Sequence, residues 1–174
     1  MKQHKGMRPH DIAVLLKIAI TEGTWMSKDL SDALKISQAE ISYSLNRSAT
    51  AGLIDHTKRK VMRNALLEFI RYGLPYIFPP EKGPMAKGVP TAFSAPVMSS
   101  QIVGSGIVVW PHMQGNARGE SISPLYPNAV DVALQDEQMY DLLALIDVMR
   151  IGKVREKEIA IKQLKNLIGN KIHA

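Results

Sequence analysis

Apolar residues recur at helical spacing near the start of the chain and predict two short helices there. The first helix is predicted to begin near Pro9, a residue that suits a first helical turn, and its apolar run ends at Gly23. The second is predicted to begin at Ser27, which is a good N-cap, and to end before a break at Lys35 and Ile36.

A third helix is predicted over residues 37–52. Ser37 and Glu40 have the spacing of a capping box, in which the hydroxyl accepts from the backbone N–H of Glu40 and the carboxylate reaches back. Gly52 lies where this helix must stop. Its apolar side chains repeat every four residues on one face: Ile41, Leu45, Ala49 and Leu53. Two short helices joined by a tight turn predict a helix-turn-helix at residues 27–54.

Three segments of this region resemble the winged helix-turn-helix family: DLSDALKIS (residues 29–37), QAEISYSL (38–45) and AGLI (51–54). Within that family the chain is most similar to regulators of the multiple-antibiotic-resistance type, over residues 9–60. Two positions depart from the family pattern, because Ser31 stands where Ala is usual and Lys35 where Gly is frequent. The family's hairpin, or wing, is here reduced to residues 55–61, so a truncated wing is predicted.

The remaining chain predicts a linker helix, an irregular middle and a pair of helices. A helix is expected directly after residue 60, with Leu66, Leu67 and Ile70 on its apolar face. Nine of the ten prolines lie at residues 75–127, which predicts an extended loop over 79–96. A β-hairpin is expected from strands at 107–110 and 118–123, and helices from 136 to 152 and from 154 to 168.

These elements predict a mainly α fold with a small β component. Residues 1–60 are expected to form a helix-turn-helix DNA-binding domain. Residues 61–174 are expected to serve oligomerisation or partner binding. Of the aromatic residues in the middle, Phe93, Trp110 and Tyr126 suit either the lining of a partner groove or a loop that covers the C-terminal helices.

The excess of basic residues near the start of the chain supports nucleic acid as the partner of residues 1–72. Residues 1–72 hold 12 Lys and Arg against 7 Asp and Glu, and the rest of the chain holds 10 against 9. The basic excess therefore lies where phosphate contact is predicted, although a solvated basic face has the same composition.

The candidate DNA-binding residues fall into two groups. Polar residues expected on the outward face of the third helix, or at its N-terminus, are Ser37, Gln38, Ser42, Tyr43, Asn46 and Arg47. Basic residues that follow this helix and suit phosphate contact are Lys58, Arg59, Lys60 and Arg63. Among the first group, Gln38 and Asn46 match adenine, and Arg47 matches guanine or a phosphate.

Two functions follow as expectations. The first is a cytoplasmic, homodimeric regulator that binds double-stranded DNA, without a membrane span or cofactor. The second is an antitoxin-like or scaffold protein that binds a partner enzyme and regulates its own operon, since residues 66–79 resemble such companion proteins. We expect no enzymatic activity and no metal site, because the chain has no cysteine, no histidine pair at ligand spacing and no phosphate-binding glycine motif.

Overall fold

The computed structural model describes residues 6–102 and 106–169, and its mainly helical fold with one small sheet confirms the predicted fold class. The helices of these ranges are α1 (Pro9–Ile20), α2 (Ser27–Leu34), α3 (Gln38–Thr50), α4 (Arg63–Tyr72), α5 (Leu74–Ile77), α6 (Pro96–Ser99), α7 (Ala129–Gln135), α8 (Glu137–Ile151) and α9 (Val154–Ile168). The strands are β1 (Lys82–Pro90), β2 (Val108–Pro111) and β3 (Ala117–Ile122). Within the described ranges, no helix is both long enough and apolar enough to cross a bilayer.

The helices predicted at both ends of the chain are confirmed. Gly23 and Gly52 follow α1 and α3 with φ of 76° and 77°, a conformation that glycine adopts without strain. Asp136 caps α8, because its carboxylate accepts from the backbone N–H of Met139. Helix α7 was not predicted, since seven residues are too few to show a clear period.

The middle of the chain differs from its prediction. The loop expected over 79–96 contains β1, which bears Pro84 at a register shift and Pro90 at its end. These positions tolerate a residue without an N–H, so the prolines did not exclude a strand. The expected hairpin of β2 and β3 is also wrong, because these two strands are parallel.

The parallel arrangement follows from how the two strands divide β1 between them. Strand β2 pairs with its C-terminal part, opposite residues 88–90, and β3 pairs with residues 82–88. The chain therefore continues in one direction along β1, and the three strands close on themselves. Gly88 permits this tight closure, because a Cβ there would lie 1.9 Å from the backbone oxygen of Trp110.

One hydrophobic core runs through both predicted domains, with α8 at its centre. Buried Asp147 of α8 joins the sheet to this core: one carboxylate oxygen accepts from Thr91 Oγ1 and Trp110 Nε1, each at 2.7 Å. The other oxygen accepts from Arg150 at 2.9 Å. Burial raises the pKa of Asp147, and the charge of Arg150 opposes that shift.

The substitution Asp147→Ala is expected to lower the free energy of unfolding by about 3–5 kcal/mol, because it leaves the guanidinium of Arg150 buried without its counterion. Urea unfolding measures this loss as a lower midpoint at unchanged slope. The matched control is Glu158→Ala, which breaks a surface ion pair with Arg71 and should cost less than about 1 kcal/mol. Equal losses for the two variants would contradict the role given to Asp147.

Candidate nucleic-acid interface

Helix α3 presents a polar face to solvent, which we call the α3 outer face. Its members lie at helical spacing and are all exposed: Gln38, Ser42, Tyr43 and Asn46. The ring of Tyr43 is free of the helix pair, with 59% of the residue exposed. The opposite face is buried through Ile41, Ser44 and Leu45. Four of the predicted base-contacting residues are therefore brought together on one surface.

Arg47 is a correction to the predicted outward set, because it points into the protein. Its Nε and Nη2 donate to the two carboxylate oxygens of Asp11, at 2.9 and 2.7 Å, and the residue is only 9% exposed. Nη2 also donates to Glu40 at 2.5 Å. Hydrogen bonding to Asp11 raises the pKa of Arg47, so the residue stays charged. Helical periodicity could not indicate this pairing, since Asp11 lies 36 residues away in α1.

The predicted capping box at the start of α3 is half right. The Ser37 hydroxyl accepts from the backbone N–H of Glu40 at 3.2 Å. The Glu40 carboxylate does not reach back as predicted; it accepts from Arg47 and lies 2.8 Å from Nε2 of His10. Burial opposes ionisation of Glu40, but hydrogen bonds from Arg47 and His10 outweigh it and hold its pKa below the ordinary value.

The cluster of His10, Asp11 and Glu40 has the residue types of a metal site, and its ligand atoms lie within 4.8 Å of one another. The Arg47 guanidinium already supplies a positive charge there, because it bonds to both carboxylates and lies 3.3 Å from His10. We therefore interpret the cluster as an ion-pair network that fixes α3 against α1.

Residues 53–62 form a short hairpin after α3, with one β-bridge between Ile54 and Val61. Asp55 organises its turn: its carboxylate accepts from Thr57 Oγ1 and from the backbone N–H groups of Arg59 and Lys60. These hydrogen bonds, led by that of Thr57, lower the pKa of Asp55 to about 2. The 53–62 hairpin agrees with the truncated wing that the sequence predicts.

The four predicted phosphate contacts have different surroundings. Lys58 extends from the 53–62 hairpin to the α3 outer face, where its Nζ donates to Oδ1 of Asn46. Arg59 is exposed, stacks on Trp25 at 4.6 Å from the ring centroid and donates to its carbonyl oxygen. Lys60 is exposed. Arg63, predicted as a phosphate contact, has a structural role: it joins α4 to α1 and α9 by donating to the carbonyl oxygens of Ala19 and Ile168.

The turn between α2 and α3 is held by a segment near residue 126. Tyr126 Oη donates to the carbonyl oxygen of Leu34 at 3.0 Å, and Asn128 Nδ2 donates to that of Lys35 at 2.8 Å. Lys35 has φ of 55°, in the left-handed region that glycine adopts more readily than a lysine. Tyr126 and Trp110 are buried, so they do not line an open groove. No local pattern indicated that these distant residues meet the turn.

Comparison of the chain with models of known protein families, with curated proteins and with solved structures finds no match.

The substitution Arg47→Ala is expected to lower the free energy of unfolding by about 3–5 kcal/mol, because Asp11 would stay buried without its counterion. Arg47→Lys should lower the free energy of unfolding by less, since it keeps the positive charge and loses only the bidentate contact with Asp11. Denaturant unfolding measures the stability of both variants. The control is Asn46→Ala, which changes an exposed residue and should leave the free energy of unfolding within about 0.5 kcal/mol of the wild-type value. Wild-type stability in Arg47→Ala would contradict the inward assignment.

Replacing Glu40 by Gln is expected to lower stability by about 1 kcal/mol at pH 7, because Glu40 is part-exposed and its ion pairs are partly screened. A carboxylate whose pKa is lowered in the folded state stabilises the protein above its ordinary pKa, here 4.5, and loses this effect as the pH falls through the folded value. The two proteins should therefore converge in acid. Thermal unfolding from pH 7 to pH 3 measures the convergence. A difference that is constant over this range would argue against an ionised Glu40 in the network.

Proposed function

We propose that this protein is a sequence-specific regulator of transcription that binds double-stranded DNA in the cytoplasm. The observation that carries the proposal is the α3 outer face, a set of exposed polar side chains on a short helix of a helix-turn-helix. Major-groove reading requires such a face, because base edges are recognised by polar side chains that solvent can reach. Lys58 of the 53–62 hairpin reaches this face, and the exposed cations Arg59 and Lys60 of the same hairpin are available for the DNA backbone.

The regulator is proposed to bind as a homodimer. Two-fold symmetric proteins match operators whose half-sites are about one helical turn apart, and a single helix-turn-helix offers few contacts. A patch that suits a subunit contact is defined here by three large exposed side chains that lie close together along α4 and α5: Tyr72, Tyr76 and Ile77. Aromatic side chains of this kind are enriched at protein interfaces.

The same patch also favours a second candidate function, an antitoxin-like or scaffold role. Tyr76 is 83% exposed and Tyr72 is 67% exposed, and large exposed side chains that lie close together favour a site for another protein. In this alternative the covering protein is a partner enzyme. The mass of the purified complex in solution distinguishes the two, since a homodimer has twice the mass of this chain and a heteromeric complex contains a second chain.

A mobility-shift assay with the DNA upstream of the protein's own gene tests the proposed function. The wild type is expected to bind this DNA more tightly than unrelated duplex. If each subunit of the homodimer neutralises about three phosphates, a fourfold rise in salt should weaken binding of the dimer by about three orders of magnitude. The double variant Gln38→Ala with Ser42→Ala should lose roughly tenfold or more of the preference for the upstream DNA, because it removes base-edge contacts.

The control for that variant is Gln138→Ala, which removes an exposed glutamine from α8 and should bind like the wild type. Failure to bind either duplex at low salt would reject the DNA-binding function. Binding with no preference between the two duplexes would reject sequence-specific regulation.

A further inference from the structure

The α3 outer face carries no cation. The only basic residue within Gln38–Thr50 is Arg47, and both of its donating groups are committed to buried Asp11 and to Glu40. To reach DNA, Arg47 would have to leave Asp11 unpaired in the core, which is strongly unfavourable. Helix α3 therefore has no arginine or lysine of its own for base reading.

This absence limits which bases α3 can read by itself. Guanine presents two acceptors in the major groove, O6 and N7, and its usual partner is a donor-rich Arg or Lys side chain. Gln38 and Asn46 carry one acceptor and one donor group each, a combination that matches adenine. A guanine reader must come from another element.

Lys58 is the cation that reaches the α3 outer face. Its backbone has φ of 60° and lies in the turn that Asp55 organises, where its N–H donates to the Asp55 carbonyl oxygen at 2.9 Å. From there its Nζ donates to Oδ1 of Asn46. Its neighbours Arg59 and Lys60 are more exposed, and Arg59 points instead to Trp25.

We propose that Lys58 and Asn46 act together as a base-reading unit for a guanine next to an adenine, an assignment that rests on the proposed DNA-binding function. An ammonium group has three donors, so one bond to Asn46 leaves two for O6 and N7 of guanine. The Asn46 oxygen has a second lone pair, and its NH₂ group is free to donate, so the amide can still pair with the adjacent adenine. The 53–62 hairpin thus contributes to sequence reading through the major groove.

The alternative for Lys58 is a phosphate contact, which fixes position and carries no sequence information. The hydrogen bond to Asn46 favours base reading, because it holds the ammonium group of Lys58 against the α3 outer face. The two roles have different consequences for sequence preference, and these consequences can be measured.

The experiment is selection from a pool of random duplexes, followed by sequencing, with the full-length wild type, Lys58→Met and Lys60→Met at one salt concentration. Both substitutions keep a long unbranched side chain and remove one positive charge from the same hairpin. The wild type is expected to select a half-site that contains a guanine beside an adenine. Lys58→Met should lose roughly tenfold or more of the discrimination for that guanine while the other positions keep their preferences.

Lys60→Met should weaken binding to all sequences about equally and keep the guanine preference. Asn46→Ala should lose the adenine preference and also weaken the guanine preference, since it removes the group that holds Lys58. Circular dichroism on each variant establishes that it is folded before selection.

Two results would overturn the assignment while leaving the proposed function in place: a guanine preference that survives in Lys58→Met, or equal, sequence-independent weakening by the Lys58 and Lys60 variants. If the wild type selects no sequence and binds no duplex, both the base-reading unit and the proposed function are rejected.

Discussion

The buried ion pair between Asp11 and Arg47 fixes α3 against α1, and the surface that α3 offers to solvent depends on it. Burying two charges is favourable only with good geometry and further hydrogen bonds. Here the guanidinium meets both carboxylate oxygens of Asp11 and finds a third acceptor in Glu40. Rolling α3 to expose Arg47 would break both hydrogen bonds to Asp11 of α1 and would separate Glu40 from His10 of α1. The rotation of the helix, and with it the identity of its exposed side chains, is therefore set in the core.

The C-terminal part of the chain supports the helix-turn-helix directly. The last carbonyl groups of α2 lack partners within the helix, and those of Leu34 and Lys35 are satisfied by Tyr126 and Asn128. These two residues follow β3, which belongs to the sheet that Asp147 joins to α8. A continuous series of packed elements therefore runs from the centre of the protein to the turn before α3.

The cations available for DNA lie in the 53–62 hairpin and not on the α3 outer face. In the proposed complex, α3 supplies neutral side chains that pair with base edges, and the 53–62 hairpin supplies the cations. Asp55 makes the short hairpin rigid by accepting from two backbone N–H groups, so the position of Lys58 is well defined despite the reduced wing. A rigid hairpin places an ammonium group at lower entropic cost than a flexible loop would.

The sequence by itself determined the local elements of this protein. Periodicity, the Ser37 cap and the glycines at 23 and 52 placed the helices of the helix-turn-helix, because these signals act within one or two turns of the chain. The same reasoning oriented α3 correctly for Gln38, Ser42, Tyr43 and Asn46, whose exposure follows from the apolar stripe on the opposite side.

Only the tertiary structure decided the position of Arg47, the partner of Glu40 and the direction of β3. Arg47 lies at the edge of the apolar stripe, where periodicity permits either orientation, and a carboxylate 36 residues away selected the inward one. Likewise, β2 and β3 became parallel because each pairs with a different part of β1, a strand that prolines concealed in the sequence. Such outcomes depend on contacts between residues that are distant in the chain, and local sequence patterns do not predict these contacts.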